Sequence, residues 1–81
     1  MNIDIRDTLT LSDNNKYVVA SKAYGNGKNY YYLVDINDHL NCKFVEAKDD
    51  SLIEIEDAEA IKNILPFFSK SVFAALKELS E

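Results

Sequence analysis

The sequence predicts an α+β fold, an antiparallel β-meander of about five strands followed by one or two C-terminal helices packed on one face. Residues 30–34 form an uncharged run of three tyrosines, a leucine and a valine, which is typical of a central strand covered on both faces. After Asp57 the apolar residues recur at helical spacing. We therefore expect a single domain over residues 1–81, with the sheet in 3–56 and the helical C-terminus in 57–79.

Five segments have the residue pattern of strands, and polar turn residues separate them. The predicted strands are residues 5–11, 16–24, 30–34, 42–47 and 52–56. The chain's only two glycines, Gly25 and Gly27, flank Asn26 in the second turn, and glycine supplies the positive φ that tight hairpins need. Because strands joined by short turns usually pair with their neighbours, we expect them to pair in sequence order.

The last strand shows the clearest alternation of apolar and charged residues. Ile53 and Ile55 share one parity, and Glu54 and Glu56 share the other. Successive side chains of a strand point to opposite faces, so we expect the isoleucines to face the core and the glutamates to face water. This pattern favours a position near the edge of the sheet.

The C-terminal segment is expected to contain a helix capped by Asp57. Glu59 lies in its first turn, where a negative charge complements the positive end of the helix dipole. Pro66 lacks a backbone donor and disfavours helical geometry at the residue before it, so we expect the helix to break or kink there. A second helix would then end the chain, with an apolar stripe at Leu65, Phe68, Val72, Leu76 and Leu79, and Phe73 beside it.

The central strand is apolar at both parities, so both of its faces need a cover. Tyr30, Tyr32 and Val34 share one face, and Tyr31 and Leu33 share the other. The helices can cover only one face. The other face is either left exposed for a partner or a second copy, with Tyr31 and Leu33 as the candidate interaction face, or it is buried because the sheet curls on itself.

Several of these segments resemble a family of short acidic bacterial proteins of unknown function. The resemblance is carried by a strand at residues 9–11 before a polar turn, an aromatic hairpin formed by residues 17–19 and 30–34, and an acidic stretch at 46–59 that leads into a terminal helix. It covers roughly residues 8–65, and the extension 66–81 departs from the pattern. The resemblance implies this fold, and it carries no activity or site residues with it.

The negative charge of the chain is concentrated in one segment. The net charge is −5, and residues 46–59 alone hold seven acids against one base, Lys48, for a net charge of −6. The candidate acidic patch comprises Glu46, Asp49, Asp50, Glu54 and Glu56. Such a chain repels phosphates, so we expect no direct binding to nucleic acid.

No set of residues in the sequence has the composition of a catalytic, cofactor or metal site. His39 and Cys42 are three residues apart, but zinc needs three or four protein ligands and the chain has no other His or Cys. The acidic segment lacks the ligand spacing of an EF-hand loop, and residues 25–27 lack the rest of a phosphate-binding loop. We therefore expect no metal, no cofactor and no enzymatic activity.

The same sequence favours a cytoplasmic protein. Residues 1–5 contain no basic region followed by an apolar run, and no stretch approaches the roughly 20 apolar residues that span a bilayer. The single cysteine cannot form an intramolecular disulfide, which is typical of a reducing compartment.

Two hypotheses for function follow. The first is a non-enzymatic protein-binding or regulatory module, which uses the face of Tyr31 and Leu33 together with the acidic segment to bind a partner or a second copy. The alternative is an acidic mimic of nucleic acid, such as an inhibitor protein of a phage or mobile element. Salt separates them, since the affinity of a mimic falls steeply with ionic strength.

Overall fold

The computed structural model describes the backbone of residues 3–79 and the side chains of residues 3–68. Its strands form one antiparallel sheet in which each strand pairs with its neighbours in sequence, β1-β2-β3-β4-β5. The elements are β1 (Thr8–Thr10), β2 (Lys16–Gly25), β3 (Lys28–Asp35), β4 (Cys42–Lys48), β5 (Ser51–Ile55) and α1 (Ala58–Leu79). The predicted five-stranded meander and the helical C-terminus are confirmed, and the described residues contain one helix.

The hairpin between β2 and β3 is the turn that the glycines predict. Gly25 pairs with Lys28, which leaves a loop of Asn26 and Gly27. Their φ angles are 54° and 73°, and the common two-residue hairpin turn needs a positive φ at both positions. The turn between β4 and β5 also has two residues, and its first, Asp49, has a φ of 54°.

The first strand is shorter than predicted because residues 4–7 form a tight turn. The Asp7 amide donates to the Asp4 carbonyl oxygen at 3.1 Å, and the Asp4 amide donates to Asp7 Oδ2 at 2.9 Å. Arg6, at the third position of the turn, has a φ of 78°. The turn places Ile3, which is 8% exposed, in the core.

A β-bulge in β2 bends the sheet towards one side. The pairing of β2 with β3 shifts register between Val19 and Ser21, and a bulge of this kind bends its strand and increases the local twist. The side chains on the concave side form a cluster to which both outermost strands contribute. We call it the concave core: it consists of Ile3, Tyr17, Val19, Tyr31, Leu33 and Val45, with Leu9, Leu11, Ala47 and Leu52 packed against it.

Helix α1 covers the opposite side of the sheet, where the core is mostly aromatic. This convex core consists of Ala23, Tyr30, Ile64 and Phe68, with Tyr32, Phe44, Ile55 and Phe67 packed against it. The Phe44 and Phe68 rings meet edge to face, with centroids 5.4 Å apart, and Tyr30 stacks on Phe67 at 6.1 Å. A Cβ added at Gly25 would lie 2.5 Å from the Phe67 ring, so the glycine lets the helix approach the β2 backbone.

The predicted division of β3 between two faces is confirmed, but Tyr31 and Leu33 are not on an exposed face. Tyr31 is 5% exposed and Leu33 is fully buried in the concave core. The curled sheet, with Ile3 and the outer strands, covers them within the chain itself. The expectation that these two side chains form an interaction face is therefore wrong in this structure, and the curled alternative describes it.

Of the predicted break or kink at Pro66, the break is wrong, because α1 runs through this residue without interruption. A proline removes one backbone hydrogen bond, and the remaining turns can hold the helix together. Leu65 is 43% exposed, whereas Ile64 and Phe68, four residues apart on one face, are buried. The predicted stripe is thus correct at Phe68 and wrong at Leu65, and the side chains of Val72, Phe73, Leu76 and Leu79 lie outside the described ones.

The start of α1 is capped as predicted. The Glu59 amide donates to Asp57 Oδ1 at 3.3 Å, and the Ile61 amide donates to the Asp57 carbonyl oxygen at 3.0 Å. The cap therefore satisfies one of the amides that the first turn of a helix leaves without an intrahelical partner.

The alternation in β5 is only half correct. Ile55 packs against the convex core as expected, but Ile53 is 45% exposed. Leu52 packs instead against the concave core, on the same side as Glu54, because the two have the same parity. The strand therefore contributes apolar side chains to both cores.

Candidate functional site: the cleft between the outer strands

A cleft of about 530 Å³ opens on the concave side, between the two outermost strands. We call it the edge cleft. Its lining residues come from the N-terminal segment, from β1 and the turn after it, from β4, and from β5 and the turn before it; they are Ile3, Leu9, Thr10, Leu11, Ser12, Asp13, Lys43, Val45, Asp50, Ser51, Leu52 and Glu54. The cleft exists because the sheet curls until its edges approach each other, while β1 and β5 are not paired.

The lining of the edge cleft is divided into an apolar floor and a charged rim. Ile3, Leu9, Val45 and Leu52 belong to the concave core or pack against it, so the floor is the outer surface of that core. Charged side chains stand around it, three carboxylates (Asp13, Asp50 and Glu54) and one ammonium group (Lys43). This combination of an apolar surface with a few charged groups is typical of binding sites.

Lys43 is the central residue of the charged rim of the edge cleft. Its Nζ donates to Glu54 Oε1 at 2.8 Å and lies 3.8 Å from Asp13 Oδ2, and it stands 5.9 Å from the centroid of the Tyr17 ring. The hydrogen bond to Glu54 raises the pKa of Lys43 above its ordinary value, although partial burial acts in the opposite direction. The lysine therefore stays charged at neutral pH and links β4 to β5 and to the turn after β1.

Tyr17 and Asp13 form a hydrogen-bonded pair beside Lys43. The Tyr17 hydroxyl donates to Asp13 Oδ2 at 2.6 Å. This hydrogen bond lowers the pKa of Asp13, and burial, followed by the nearby Asp13 carboxylate, raises the pKa of Tyr17. Both shifts hold the pair in its ordinary state at neutral pH, an ionised carboxylate that accepts a hydrogen bond from a neutral phenol.

A buried aspartate connects this pair to the loop between β3 and β4. Asp35, which is 4% exposed, accepts from the Asn37 amide at 2.8 Å and from Asn41 Nδ2 at 3.1 Å. Asn41 Nδ2 also donates to the Tyr17 hydroxyl at 3.0 Å. The pKa of Asp35 is lowered, first by the Asn37 amide and then by the Asn41 side chain. One continuous hydrogen-bond network thus connects the loop between β3 and β4 to Asp13 at the rim of the edge cleft.

The predicted acidic patch is not a single surface. Glu46 lies on the convex side, where it pairs with Lys28 at 3.2 Å, while Glu54 lines the edge cleft and pairs with Lys43. Asp49 and Glu56 are exposed, and neither lines the cleft. Of the five predicted residues, the structure brings Asp50 and Glu54 together in the cleft.

The pKa shifts of three charged or polar groups at the edge cleft have a common direction. Acid and base catalysis needs a group whose pKa lies near the working pH, but the shifts of Lys43, Tyr17 and Asp13 all move away from neutrality. Among the described residues, no three His, Cys, Asp or Glu side chains are placed to hold a metal ion. Cys42 is exposed, and its thiol donates to the His39 carbonyl oxygen at 3.4 Å.

Sequence reasoning missed the edge cleft and its central residue, Lys43. A signal was present in β4, because Lys43 has the same parity as Val45 and Ala47, which places a charge on the core side of a strand. Inward-pointing charges of this kind are used near sheet edges. The approach of β1 to β5 had no local signal, since it results from the curl of the whole sheet.

Comparisons with known proteins add no family or relative to this description. A scan against protein-family models and searches of curated proteins and of solved structures found no match. Among the residues that the structure describes, no helix has the length and apolar character needed to cross a bilayer. The functional inference therefore depends on the geometry of the edge cleft.

Proposed function

We propose that this protein is a non-enzymatic module that binds a segment of a partner protein in the edge cleft. The observation that carries the proposal is the cleft itself, an open volume of about 530 Å³ over an apolar floor with charged groups at its rim. It takes the place of the face of Tyr31 and Leu33, whose side chains are already buried within the chain. The binding surface is thus the part of the concave core that the curled sheet leaves uncovered.

The hydrogen-bond network beside the cleft supports this role. Asp35, Asn41, Tyr17 and Asp13 connect the loop after β3 to the turn after β1, and at least two of these side chains, Tyr17 and Asp35, are buried. A site whose side chains are already held in place loses less conformational entropy when a partner binds. The network therefore favours binding in the edge cleft.

The test is a comparison of two adjacent residues of β5 that face opposite sides. Leu52 lines the edge cleft, and Ile53, its neighbour, is 45% exposed on the convex side. We expect proteins from the native host to be retained by the wild type and by the control Ile53→Lys, and to be lost with Leu52→Lys. Thermal melting must show both variants folded. Retention of the same proteins by folded Leu52→Lys would contradict the proposal.

The charge geometry gives less support to the alternative, an acidic mimic of nucleic acid. A mimic needs unneutralised carboxylates along one surface, whereas Glu46 and Glu54 lie on opposite sides of the sheet and each is paired with a lysine. A retained partner whose affinity falls steeply between low and physiological salt, and which is indifferent to Leu52→Lys, would favour the mimic instead.

A further inference from the structure

Within the part of the chain that the structure describes, no strand pairs with the outer edge of β5, and this edge gives the edge cleft a specific mode of binding. Resting on the proposed function, we propose that the partner segment is an extended peptide that pairs with β5 as an added strand and carries alternating apolar side chains together with a lysine or arginine. Addition of a strand to an exposed sheet edge is a recurring mode of peptide recognition, in which the backbone gives affinity and alternate side chains give specificity.

The register of the last hairpin shows which backbone groups of β5 are free to pair. Lys48 pairs with Ser51 across a two-residue turn, and the residues that close such a turn exchange hydrogen bonds. Pairs alternate along an antiparallel ladder, so Ala47–Leu52 and Val45–Glu54 are pairs without hydrogen bonds. The N–H and C=O groups of Leu52 and Glu54 therefore point away from β4, towards the outer edge.

These two residues also line the edge cleft with their side chains. A strand added at this edge would consequently continue the concave side of the sheet. Every second side chain of that strand would lie over the floor formed by Leu9, Val45 and Leu52, and the intervening side chains would face the opposite side. This geometry selects an alternating apolar pattern in the ligand.

The outer edge of β1, on the opposite wall of the cleft, also has backbone N–H and C=O groups that point outward. The Val19 amide donates to the Asp7 carbonyl oxygen at 2.9 Å, and the Leu11 amide donates to the Asn15 carbonyl oxygen at 3.1 Å, which fixes the hydrogen-bonded positions on either side of β1. By the same alternation, Thr8 and Thr10 direct their backbone groups outward. We assign the pairing to β5 because it has five residues and β1 has three.

The charges around the cleft decide what kind of strand fits. Three carboxylates face one ammonium group, and Lys43 is already bonded to Glu54 at 2.8 Å, so the cleft favours a basic ligand. A second copy of this chain is a poorer occupant. Pairing of two β5 edges would bring Asp50, Glu54 and Glu56 of both copies together, and like charges across adjacent strands are destabilising.

The first experiment selects decapeptides from a random displayed library on the immobilised full-length protein. We expect enriched sequences in which apolar residues alternate and at least one lysine or arginine is present. Binding of a selected peptide should be retained by Ile53→Lys and weakened at least about tenfold by Leu52→Lys, because that substitution puts a charge on the apolar floor.

A matched pair of turn variants tests the charge preference without touching the core. Asp50 lines the edge cleft and Asp49 does not, although both are exposed in the same turn. Asp50→Asn should weaken a selected basic peptide by about twofold to fivefold, and Asp49→Asn should leave its affinity unchanged. This pair also replaces Leu52→Lys as the site test if that variant fails to fold.

The decisive measurement is a scan of the selected peptide with N-methyl groups on its backbone. If the peptide pairs with β5, methylation at alternate residues blocks a hydrogen bond and weakens binding at least about tenfold, whereas methylation at the intervening residues has little effect. A flat profile in a peptide that still depends on Leu52 or Asp50 overturns strand addition and leaves the proposed function standing.

Two other results would contradict more than the pairing with β5. A selection that enriches no peptide dependent on Leu52 or Asp50 contradicts both strand addition and the proposed function. A concentration-dependent dimer in sedimentation, lost in the cleft variants and retained in the controls, would make a second copy the occupant and overturn the peptide.

Discussion

The two sides of the sheet are buried by different means. The convex core is closed by a separate element, helix α1, and its contacts are largely aromatic, as in the edge-to-face pair of Phe44 and Phe68. The concave core is closed by the curl of the sheet itself with Ile3, and it stays open at the edge cleft. Side chains at the centre of the sheet are thus buried on both of its sides, while the gap between the outer strands leaves part of the concave core accessible.

This difference teaches where a small domain can place a binding surface. Helix α1 packs across the convex core, whereas the sheet, which curls without pairing its edges, leaves a gap over apolar side chains of the concave core. The gap needs no special motif, because it is bounded by the same residues that stabilise the fold. Each prediction below either breaks one of the two cores or sharpens the contrast between them.

The largest effect is expected from a charge placed in the concave core. Leu33 is fully buried at the centre of β3, and a lysine there would have neither water nor a paired carboxylate to solvate it. We expect Leu33→Lys to abolish the cooperative thermal transition. The control is Leu40→Lys, at a residue that is 95% exposed, which should melt like the wild type. A folded Leu33→Lys with altered association would restore this face as an interface.

The attachment of α1 is tested by removing an aromatic ring from the convex core. Phe68 is 7% exposed, so Phe68→Ala should lower the free energy of unfolding by about 3–5 kcal/mol. Leu65→Ala, on the 43% exposed side of the same helix, should cost less than about 1 kcal/mol. Urea unfolding of both variants gives the comparison, and equal losses would mean that the helix does not present the Phe68 face to the sheet.

A smaller effect is expected where the helix comes closest to the sheet backbone. The Phe67 ring occupies the space that a Cβ at Gly25 would need, so Gly25→Ala should cost about 1–3 kcal/mol through overpacking. In a double-mutant cycle with Phe67→Ala, much of this loss should disappear, because the clash is removed. Additive losses, measured by urea unfolding, would contradict the close approach of the ring to Gly25.

The sequence predicts the strands and the helix well, but it does not predict the curvature that brings β1 and β5 close together. The glycines around Asn26, the cap at Asp57 and the two-sided character of residues 30–34 are local signals, and each is confirmed. The sequence leaves open whether Leu33 is exposed or buried, because its burial depends on the curvature of the sheet. The bulge after Val19 and the placement of Ile3 create that curvature together. The edge cleft is a further consequence of that curvature, so only the parity of Lys43 pointed to it.

The network beside the edge cleft should make stability depend on acid pH. The folded-state pKa of Asp35 is lowered, so its stabilising contribution is complete above the unfolded-state pKa of about 3.9 and is lost as the pH falls through the lower folded value. In Asp35→Asn, unfolding measured between neutral and acid pH should show a shallower loss of stability than in the wild type. Asp49→Asn, an exposed turn carboxylate, is the control. An unchanged acid slope in Asp35→Asn would contradict the role of this carboxylate.

The smallest effect, and the only one expected to be favourable, concerns the turn that brings Ile3 into the concave core. Arg6 has a φ of 78° at the third position of this turn, where glycine is favoured because a side chain strains a left-handed backbone. Two backbone hydrogen bonds with Val19 hold this conformation. The Arg6 amide donates to the Val19 carbonyl oxygen at 2.8 Å, and the Val19 amide donates to the Asp7 carbonyl oxygen at 2.9 Å. Arg6→Gly should relieve the strain but also enlarge the entropy of the unfolded chain, for a net gain of up to about 1 kcal/mol in urea unfolding. Arg6→Ala keeps the strain and should show no gain. If both variants lose stability equally, the arginine side chain itself stabilises the turn, and the concave core depends on a contact at its N-terminal end rather than on the backbone alone.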